Sequence, residues 1–248
     1  MSHVMTCDVR GETVLLDIDD RPVPEGMRNY ELWRAETYTT KEPDTLDWVD
    51  EHVQAGDVLY DIGANIGQYA LYAARRAPCE VLAFEPEALN FAKLNRNIVL
   101  NELSDRITAY CLAIAARTAL ETLYVQRFIS GASLHAWGMP QTQGERPFEP
   151  QHRQGSMGVT LDDLTGTFGL RVPDLIKIDV DGIEEQIVAG APRTLANPRL
   201  RSVIIEVFMH EGAPERVIGA FERAGMRLGN RDAVSLAPGT AENLVFVR

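Results

Sequence analysis

Two short segments of the chain place chemically capable residues at the ends of buried strands. Residues 58–67 read Val-Leu-Tyr-Asp-Ile-Gly-Ala-Asn-Ile-Gly, and residues 81–86 read Val-Leu-Ala-Phe-Glu-Pro. Each begins as an apolar run typical of a central parallel strand, and the first then passes through a glycine turn into a predicted helix. Glu85 ends the second run, where a carboxylate can accept hydrogen bonds from two ribose hydroxyls. The two segments therefore predict a pocket for a nucleoside cofactor.

The spacing of the glycines distinguishes between two kinds of cofactor. A dinucleotide fold needs the pattern G-x-G-x-x-G for its pyrophosphate, but here Asp61 stands at the first glycine position and Ile66 at the third. A carboxylate at Asp61 would repel a pyrophosphate and would suit a cationic sulfonium, so the segment favours S-adenosylmethionine over NAD. The alternative is an ordinary strand–turn–helix with an incidental aspartate. The predicted cofactor-binding residues are Asp61, Gly63, Asn65, Gly67 and Glu85.

A second group of charged residues belongs to later strands. Lys177, Asp179 and Asp181 alternate along one strand, so their side chains point the same way. Glu206 lies in a run of β-branched residues that predicts another buried strand. Because ligands of open α/β sheets bind beyond the carboxyl ends of the strands, we expect these acids to converge on one cleft beside the cofactor. A lysine in such a strand needs an acidic partner or a place at the open end of the strand.

Three roles are open for these acids. They could orient the substrate and the ammonium group of the cofactor, one could act as a general base, or they could bind Mg²⁺, which prefers carboxylate oxygens. In the third case the metal ligands would be Asp179, Asp181 and Glu206. A simple turn with Gly182 is the alternative explanation for Asp181.

Two histidines are further candidates for proton transfer, because a base accelerates the reaction of a hydroxyl nucleophile by typically about 10²–10⁴-fold. His135 lies in a segment rich in glycine and proline, and His210 follows Glu206 by four residues on the ligand side. The predicted catalytic residues are therefore Asp179, His135 and His210.

The remaining pattern alternates strands with helices and predicts an α/β, doubly wound, Rossmann-like sandwich. Residues 175–180 form a central strand, and residues 183–195 are predicted to form one helix after it. Residues 1–42 are predicted to be an N-terminal extension with a β-hairpin, and residues 43–248 the main domain. Residues 127–158 contain many glycines and prolines with interspersed aromatic and histidine residues, and they are predicted to form an irregular substrate lid.

Composition limits the classes of function. The 248 residues carry a formal net charge of −12, which argues against a nucleic-acid partner. No apolar run has the length of a membrane span, and the first residues lack the pattern of a secretory signal. The three widely separated cysteines, none of them in a C-x-x-C motif, favour a reduced, cytoplasmic protein. Whether the chain forms a homo-oligomer stays open.

Five segments together resemble the FkbM family of S-adenosylmethionine-dependent methyltransferases. They are Lys-Glu-Pro at 41–43, Asp-Ile-Gly-Ala-Asn-Ile-Gly at 61–67, Ala-Phe-Glu-Pro at 83–86, Thr-Leu-Asp-Asp-Leu at 160–164 and Ile-Lys-Ile-Asp-Val-Asp-Gly-Ile-Glu at 176–184. The resemblance implies a class I methyltransferase sheet of seven strands with the last one antiparallel. It also implies O-methylation of a sugar or natural-product hydroxyl. It does not extend to the first forty residues or to residues 127–158, which would select the substrate.

The sequence therefore predicts in-line transfer of a methyl group from S-adenosylmethionine to a hydroxyl of a small-molecule or saccharide acceptor. One alternative is N-methylation of a small molecule, since a nitrogen nucleophile needs less help from a base. Another is a catalytically silent cofactor-binding module, against which the intact Glu85 and Asp179 argue. A NAD-dependent oxidoreductase comes third because of the glycine spacing.

Overall fold

A computed structural model describes residues 2–23, 26–141, 147–180, 182–209, 212–233 and 241–248 of the chain. The strands are β1 (Ser2–Val9), β2 (Glu12–Asp19), β3 (Val58–Ile62), β4 (Glu80–Phe84), β5 (Ile107–Tyr110), β6 (Ala113–Ile114), β7 (Ala119–Val125), β8 (Ala136–Trp137), β9 (His152–Val159), β10 (Leu175–Ile178), β11 (Ser202–Phe208), β12 (Arg227–Ala233) and β13 (Ala241–Val247). The helices are α1 (Tyr30–Glu36), α2 (Pro43–His52), α3 (Gln68–Arg76), α4 (Ala88–Leu100), α5 (Leu161–Gly166), α6 (Glu184–Ala189), α7 (Pro192–Ala196) and α8 (Ala213–Arg223). In these described ranges no helix has the length and apolar character needed to cross a membrane.

Seven strands form the central sheet, in the order β12-β13-β11-β10-β3-β4-β5. Strand β13 runs antiparallel to both of its neighbours, whereas the pairs from β11 to β5 are all parallel. Parallel strands need long crossover connections, and here helices supply them and cover both faces of the sheet. The predicted Rossmann-like sheet of seven strands with an antiparallel last strand is confirmed.

The central sheet separates two hydrophobic cores. Successive residues of a strand point to opposite faces, and β3 follows this rule. Leu59 lies in the core that contains α2, α3, α4 and the β1–β2 hairpin, whereas Val58, Tyr60 and Ile62 lie in the core that contains α6, α7 and α8. Asp61 follows Leu59 by two residues, so its side chain points to the same face of the sheet, toward the first of these two cores.

The N-terminal hairpin belongs to the first core. Strands β1 and β2 pair antiparallel along their whole length. Val14, Leu16 and Ile18 of β2 are fully buried against α3 and α4. Asn97 of α4 fixes the hairpin in place, because its Oδ1 accepts the backbone N–H of Asp17 at 2.9 Å. The predicted hairpin is thus present, while the division between an N-terminal extension and a main domain stays a prediction.

Three elements differ from the sequence prediction. The single helix expected over residues 183–195 is two helices, because α6 ends at Ala189, just before Gly190, and Pro192 begins α7. A proline is well tolerated in the first turn of a helix but not in its interior. The sequence predicts neither α1 nor β12. Strand β12 is an edge strand of mostly polar residues, so it lacks the apolar alternation that identifies a strand.

A second, four-stranded sheet has the order β6-β9-β7-β8. Its strand β8 and all but the last residue of β9 fall within residues 127–158, so the expectation of an irregular segment is wrong for that part; residues 142–146 lie outside the described residues. Gly158 shows why the composition misleads, since a Cβ at this position would overlap the indole ring of Trp137. Here glycine marks a close approach within a sheet rather than a loop. The role of this segment as a substrate lid stays a prediction.

The contact between the ends of β3 and β10 can be tested at Gly63. Its φ is 79°, and an added Cβ would overlap the backbone oxygen of Asp179, which follows β10. Gly63→Ala should therefore combine left-handed strain with a steric clash and lower the free energy of unfolding by about 2–5 kcal/mol. Urea unfolding followed by circular dichroism measures this loss.

Gly56→Ala is the matched control. Gly56 precedes β3 and has a φ of 87°, but its Cβ would meet no atom within 4 Å. It should show the backbone strain alone, about 1–2 kcal/mol. Equal losses for the two variants would mean that the clash with Asp179 is not significant.

Candidate active site

The carboxyl ends of β3, β4, β10 and β11 lie along one edge of the central sheet, where open α/β sheets bind their ligands. Backbone hydrogen bonds hold the turn after β3 to its neighbours. The N–H groups of Gly63 and Ala64 donate to the oxygen of Phe84 at 3.0 and 3.1 Å, and the N–H of Asp179 donates to the oxygen of Ile62 at 3.1 Å. The two groups of residues singled out in the sequence therefore meet at this edge.

The glycine turn contains three residues in the left-handed region, namely Gly63 (φ 79°), Asn65 (φ 50°) and Gly67 (φ 97°). Asparagine visits this region more readily than other non-glycine residues because its short polar side chain bonds locally. The Oδ1 atom of Asn65 accepts the N–H of Ile66 at 3.0 Å, and its Nδ2 donates to the oxygen of Ala132 at 2.9 Å. The side chain of Asn65 thus fixes the shape of the turn.

Glu85 stands directly after β4 and is almost completely buried. Its Oε2 accepts the N–H of Asn65 and its Oε1 accepts the N–H of Glu87, each at 2.8 Å. Two backbone amides therefore orient a carboxylate that offers about four acceptor positions. Glu85 therefore bridges the two turns that are predicted to hold the cofactor, a role that the sequence did not reveal.

Lys177 is buried between two carboxylates. It is the register partner of Asp61 on the neighbouring strand, and its Nζ lies 3.4 Å from Asp61 Oδ1 and 3.3 Å from Asp179 Oδ2. The same ammonium lies 5.0 Å from the centre of the Tyr69 ring. Burial alone would lower the pKa of Lys177, but Asp179 and Asp61 outweigh it and raise that pKa. The acidic partner that a lysine in this strand requires is thus present twice.

The two carboxylates differ in their surroundings. Asp61 is fully buried, and burial raises its pKa although Lys177 acts in the opposite direction. Asp179 keeps 27% of its side chain exposed. Burial acts to raise the pKa of Asp179, but Lys177, Lys41 and Arg34 together hold it below its usual range. Asp179 is therefore the ionised carboxylate that reaches the crevice.

Asp61 is almost completely buried next to Lys177. The 3.4 Å separation is an ion pair rather than a short hydrogen bond, and neither oxygen of Asp61 has a hydrogen-bond partner among the described residues. The ion pair with Lys177 was not foreseen from the sequence, and the part of Asp61 in holding the cofactor stays a prediction.

A loop at residues 128–135, here called the clamped loop, is fastened to the glycine turn. Asn90 Nδ2 donates to the oxygen of Ala132 at 3.1 Å, as Asn65 does, and Asn90 Oδ1 accepts the N–H of Gly131 at 2.7 Å. Arg34 Nε donates to the oxygen of Gly131 at 2.7 Å. Arg34 and Asn90 are both buried. Neither residue was predicted from the sequence. A polar residue at a core-facing position of α1 or α4 is the signal that could have identified them.

Lys41 is a further charged residue of the site. It forms an ion pair with Glu42, and its side chain is only 15% exposed. Burial lowers the pKa of Lys41 to about 8; Arg34 acts in the same direction, whereas Asp179 and Glu206 oppose the shift. The sequence offers Lys41 only as part of a family motif, and its link to the ends of β10 and β11 needs the folded chain.

Two of the other predicted catalytic and metal-binding residues, His135 and Glu206, lie within the described part of the chain. His135 is half-buried, and burial lowers its pKa to about 4, so the imidazole is neutral at pH 7. Glu206 lies in β11 and is also half-buried, while Asp181 and His210 lie outside the described residues. Within the described part of the chain no three His, Cys, Asp or Glu side chains are grouped to hold a metal. The Mg²⁺ site at Asp179, Asp181 and Glu206 stays a prediction.

A sheet of this order, with a glycine turn after its central strand and a buried carboxylate after the next, is the fold of the class I methyltransferases. Residues 61–228 match the family model described as the methyltransferase FkbM domain. The chain belongs to this family of methyltransferases.

Two characterised relatives are similar over most of the chain. The 31-O-demethyl-FK506 methyltransferase FkbM of Streptomyces tacrolimicus is 28% identical over 193 residues, which cover 70% of this chain and 74% of the relative. The hexuronic acid methyltransferase AglP of Haloferax volcanii is 27% identical over 190 residues, which cover 71% of this chain and 66% of the relative.

Solved structures share the fold at low sequence identity. Methyltransferase FkbM from Methylobacillus flagellatus KT superposes with a TM-score of 0.55 at 16% identity, covering 78% of this chain and 44% of that one. The tRNA m1G37 methyltransferase of M. jannaschii superposes with a TM-score of 0.52 at 12% identity, covering 98% of this chain and 56% of that one. These likenesses concern the fold alone.

The dependence of the site on Lys177 can be tested by charge removal. Lys177→Met leaves Asp61 as a buried carboxylate without a cation, so it should lower the free energy of unfolding by about 3–5 kcal/mol. Adding Asp61→Asn removes that unpaired charge and should recover a large part of the loss. Urea unfolding of the wild type, the single variant and the double variant measures both effects.

Asp179→Asn is the companion variant for this series. It leaves the Lys177–Asp61 pair intact, and Asp179 is partly exposed, so its loss of stability should be smaller than that of Lys177→Met. A loss as large as that of Lys177→Met would mean that Asp179, rather than Asp61, neutralises the lysine.

Proposed function

We propose that this protein transfers a methyl group from S-adenosylmethionine to a hydroxyl of a sugar or natural-product acceptor. The observation that carries the proposal is the glycine turn bridged to Glu85 at the crevice of a class I methyltransferase sheet. Membership of the FkbM methyltransferase family supports methyl transfer. The acceptor class draws on the relatives, one named for a demethylated FK506 and one for a hexuronic acid.

The residues present fit the cofactor. Glu85 is oriented by two backbone amides and offers its carboxylate to ribose hydroxyls. Gly63, Asn65 and Gly67 shape the turn on which the cofactor would rest. Asp61, which is buried beside Lys177, pairs with that lysine and leaves the partly exposed carboxylate of Asp179 at the crevice. A carboxylate at this place suits a cationic sulfonium.

The chain would accelerate the reaction chiefly by position. S-adenosylmethionine, when bound, supplies the methyl group, and the acceptor oxygen forms a bond to its carbon as the carbon–sulfur bond breaks. Holding two reactants in line can contribute about 7–11 kcal/mol to the barrier reduction. The hydroxyl proton must pass to a base. Among the residues predicted to be catalytic, Asp179 is the ionised carboxylate at the crevice. His135, with a pKa of about 4, is a weak base and ranks below it.

One alternative differs from this proposal in the acceptor, and the other has no methyl transfer. A nitrogen nucleophile would need no strong base and would suit a site without one. A silent cofactor-binding module would have no use for the ionised Asp179. The net charge of −12 supports a small-molecule or saccharide acceptor rather than a nucleic acid, and the cysteine pattern supports a cytoplasmic location.

Turnover with methyl-labelled S-adenosylmethionine tests the proposal. Neutral methyl glycosides, uronic acids and hydroxylated polyketides serve as acceptors, each with Mg²⁺ and with EDTA, and small amines serve as the competing class. Label in a methyl ether supports O-methylation, and label only in amines overturns it. Activity in EDTA equal to that in Mg²⁺ would remove the metal site at Asp179, Asp181 and Glu206.

Glu85→Ala should weaken S-adenosylmethionine binding about ten- to a hundredfold, because a hydrogen bond to a charged acceptor is worth about 1.5–3 kcal/mol. Isothermal titration calorimetry measures the affinity. Glu87→Ala is the control, since Glu87 is equally buried and caps α4 through the N–H of Asn90. It should cost stability without a comparable loss of affinity, and an equal loss in both variants would take Glu85 off the ribose.

A further inference from the structure

The hydroxyl of Tyr69 is buried without a hydrogen-bond partner among the described residues. Tyr69 is the second residue of α3, and only 6% of its surface is exposed. Buried polar groups are nearly always hydrogen-bonded, and an exception in a folded protein calls for an explanation. At the edge of a ligand crevice, a missing partner that a ligand supplies is such an explanation.

The other buried tyrosines lack this feature. Tyr38 donates to the backbone oxygen of Gln68, Tyr60 donates to the backbone oxygen of Arg171 at 2.7 Å, and Tyr72 donates to Asp50 at 2.7 Å. The unpaired hydroxyl is therefore specific to the tyrosine next to the glycine turn.

The surroundings of Tyr69 link it to the end of β10, where Asp179 reaches the crevice. The ammonium of Lys177 lies over its ring, and the charges that act on its hydroxyl come from Asp179, Arg34 and Asp44. Burial raises the pKa of Tyr69 well above its usual value, so the hydroxyl keeps its proton. A phenolic hydroxyl can accept a hydrogen bond as well as donate one, and the bond that it donates needs an acceptor atom.

The charge of the neighbours narrows the kind of acceptor atom. Asp179 is ionised and disfavours a second carboxylate beside it, such as that of the cofactor's amino-acid end, whereas Arg34 acts in the opposite direction; S-adenosylhomocysteine carries this carboxylate, so its affinity distinguishes the two ligands. An ammonium group has no acceptor atom to offer. An uncharged hydroxyl or ether oxygen meets both conditions, and saccharides carry such oxygens next to any hydroxyl that could be methylated.

We propose that Tyr69 is an acceptor-binding residue, whose hydroxyl donates a hydrogen bond to an uncharged oxygen of the methyl acceptor beside Asp179. The assignment rests on the proposed function and adds to it that the acceptor is rich in neutral oxygens around the reacting hydroxyl. Tyr69 would then fix the orientation of the acceptor, whereas Glu85 fixes that of the cofactor.

Tyr69→Phe tests the proposal, with Tyr72→Phe as the matched control on the same helix. In the unliganded protein, Tyr69→Phe removes an unpaired group and should leave the melting temperature unchanged or raised, whereas Tyr72→Phe removes a bond to Asp50 and should lower it. S-adenosylhomocysteine, used as the cofactor probe in calorimetry, should bind Tyr69→Phe and the wild type within about twofold. With a neutral methyl glycoside as acceptor probe, kcat/KM of Tyr69→Phe should fall about tenfold or more, while Tyr72→Phe keeps its rate.

Three results would overturn the assignment. A melting temperature of Tyr69→Phe lowered as much as that of Tyr72→Phe would show that the hydroxyl has a structural partner. A tenfold loss of S-adenosylhomocysteine affinity would assign the hydroxyl to the cofactor, and unchanged acceptor kinetics would leave it without the proposed contact. A wild type that methylates no hydroxyl overturns the proposed function. The stability and cofactor measurements need no acceptor, so they still decide whether the Tyr69 hydroxyl has a partner in the protein or in the cofactor.

Discussion

The buried ammonium of Lys177 is the interaction on which the candidate site depends. A central parallel strand covered on both faces is normally apolar, and a charge within it survives only when it is paired. Lys177 is paired twice, with Asp61 at 3.4 Å and with Asp179 at 3.3 Å. The three groups together carry a formal charge of −1. Asp61 is fully buried and cannot present that charge to a ligand. Asp179, at the open end of β10, is the member of the group that stays partly exposed, and Lys41 and Arg34 act on its charge as well.

Hydrogen bonds between turns give this edge of the sheet its fixed shape. Glu85 joins the turn after β3 to the turn after β4, because its carboxylate accepts one backbone N–H from each turn. The clamped loop is joined to the same turn through Asn65 and Asn90. Each of these bonds uses a buried polar group that would be costly to leave unpaired, so the glycine turn is determined by its neighbours as well as by its own residues. Such a turn can receive a ligand without first being ordered, and preorganisation of this kind lowers the cost of binding.

The sequence predicts the features that depend on near neighbours. Apolar runs of the right length give β3, β4, β10 and β11, and the alternation of Lys177 with Asp179 correctly puts them on one side of their strand. It cannot give the register between strands more than a hundred residues apart. The pairing of Lys177 with Asp61 depends on that register, so the sequence does not identify Asp61 as the partner that Lys177 requires. Tertiary contacts also explain two features that composition alone does not predict. One is the polar edge strand β12, and the other is Gly158, which faces the ring of Trp137 within a sheet.

The two sides of the crevice are therefore built in different ways. The side that would hold the cofactor comes from two short segments, each a strand and the turn that follows it, and this is why its residues are legible as motifs. A second group of residues comes from α1, Lys41, Tyr69 and the end of β10, which only the fold makes neighbours. Within the described residues the Tyr69 hydroxyl bonds to neither the strands nor the glycine turn, so this group can change without disturbing them. A fold constructed in this way can keep one cofactor and exchange its acceptors, which matches relatives as different in name as an FK506 methyltransferase and a hexuronic acid methyltransferase.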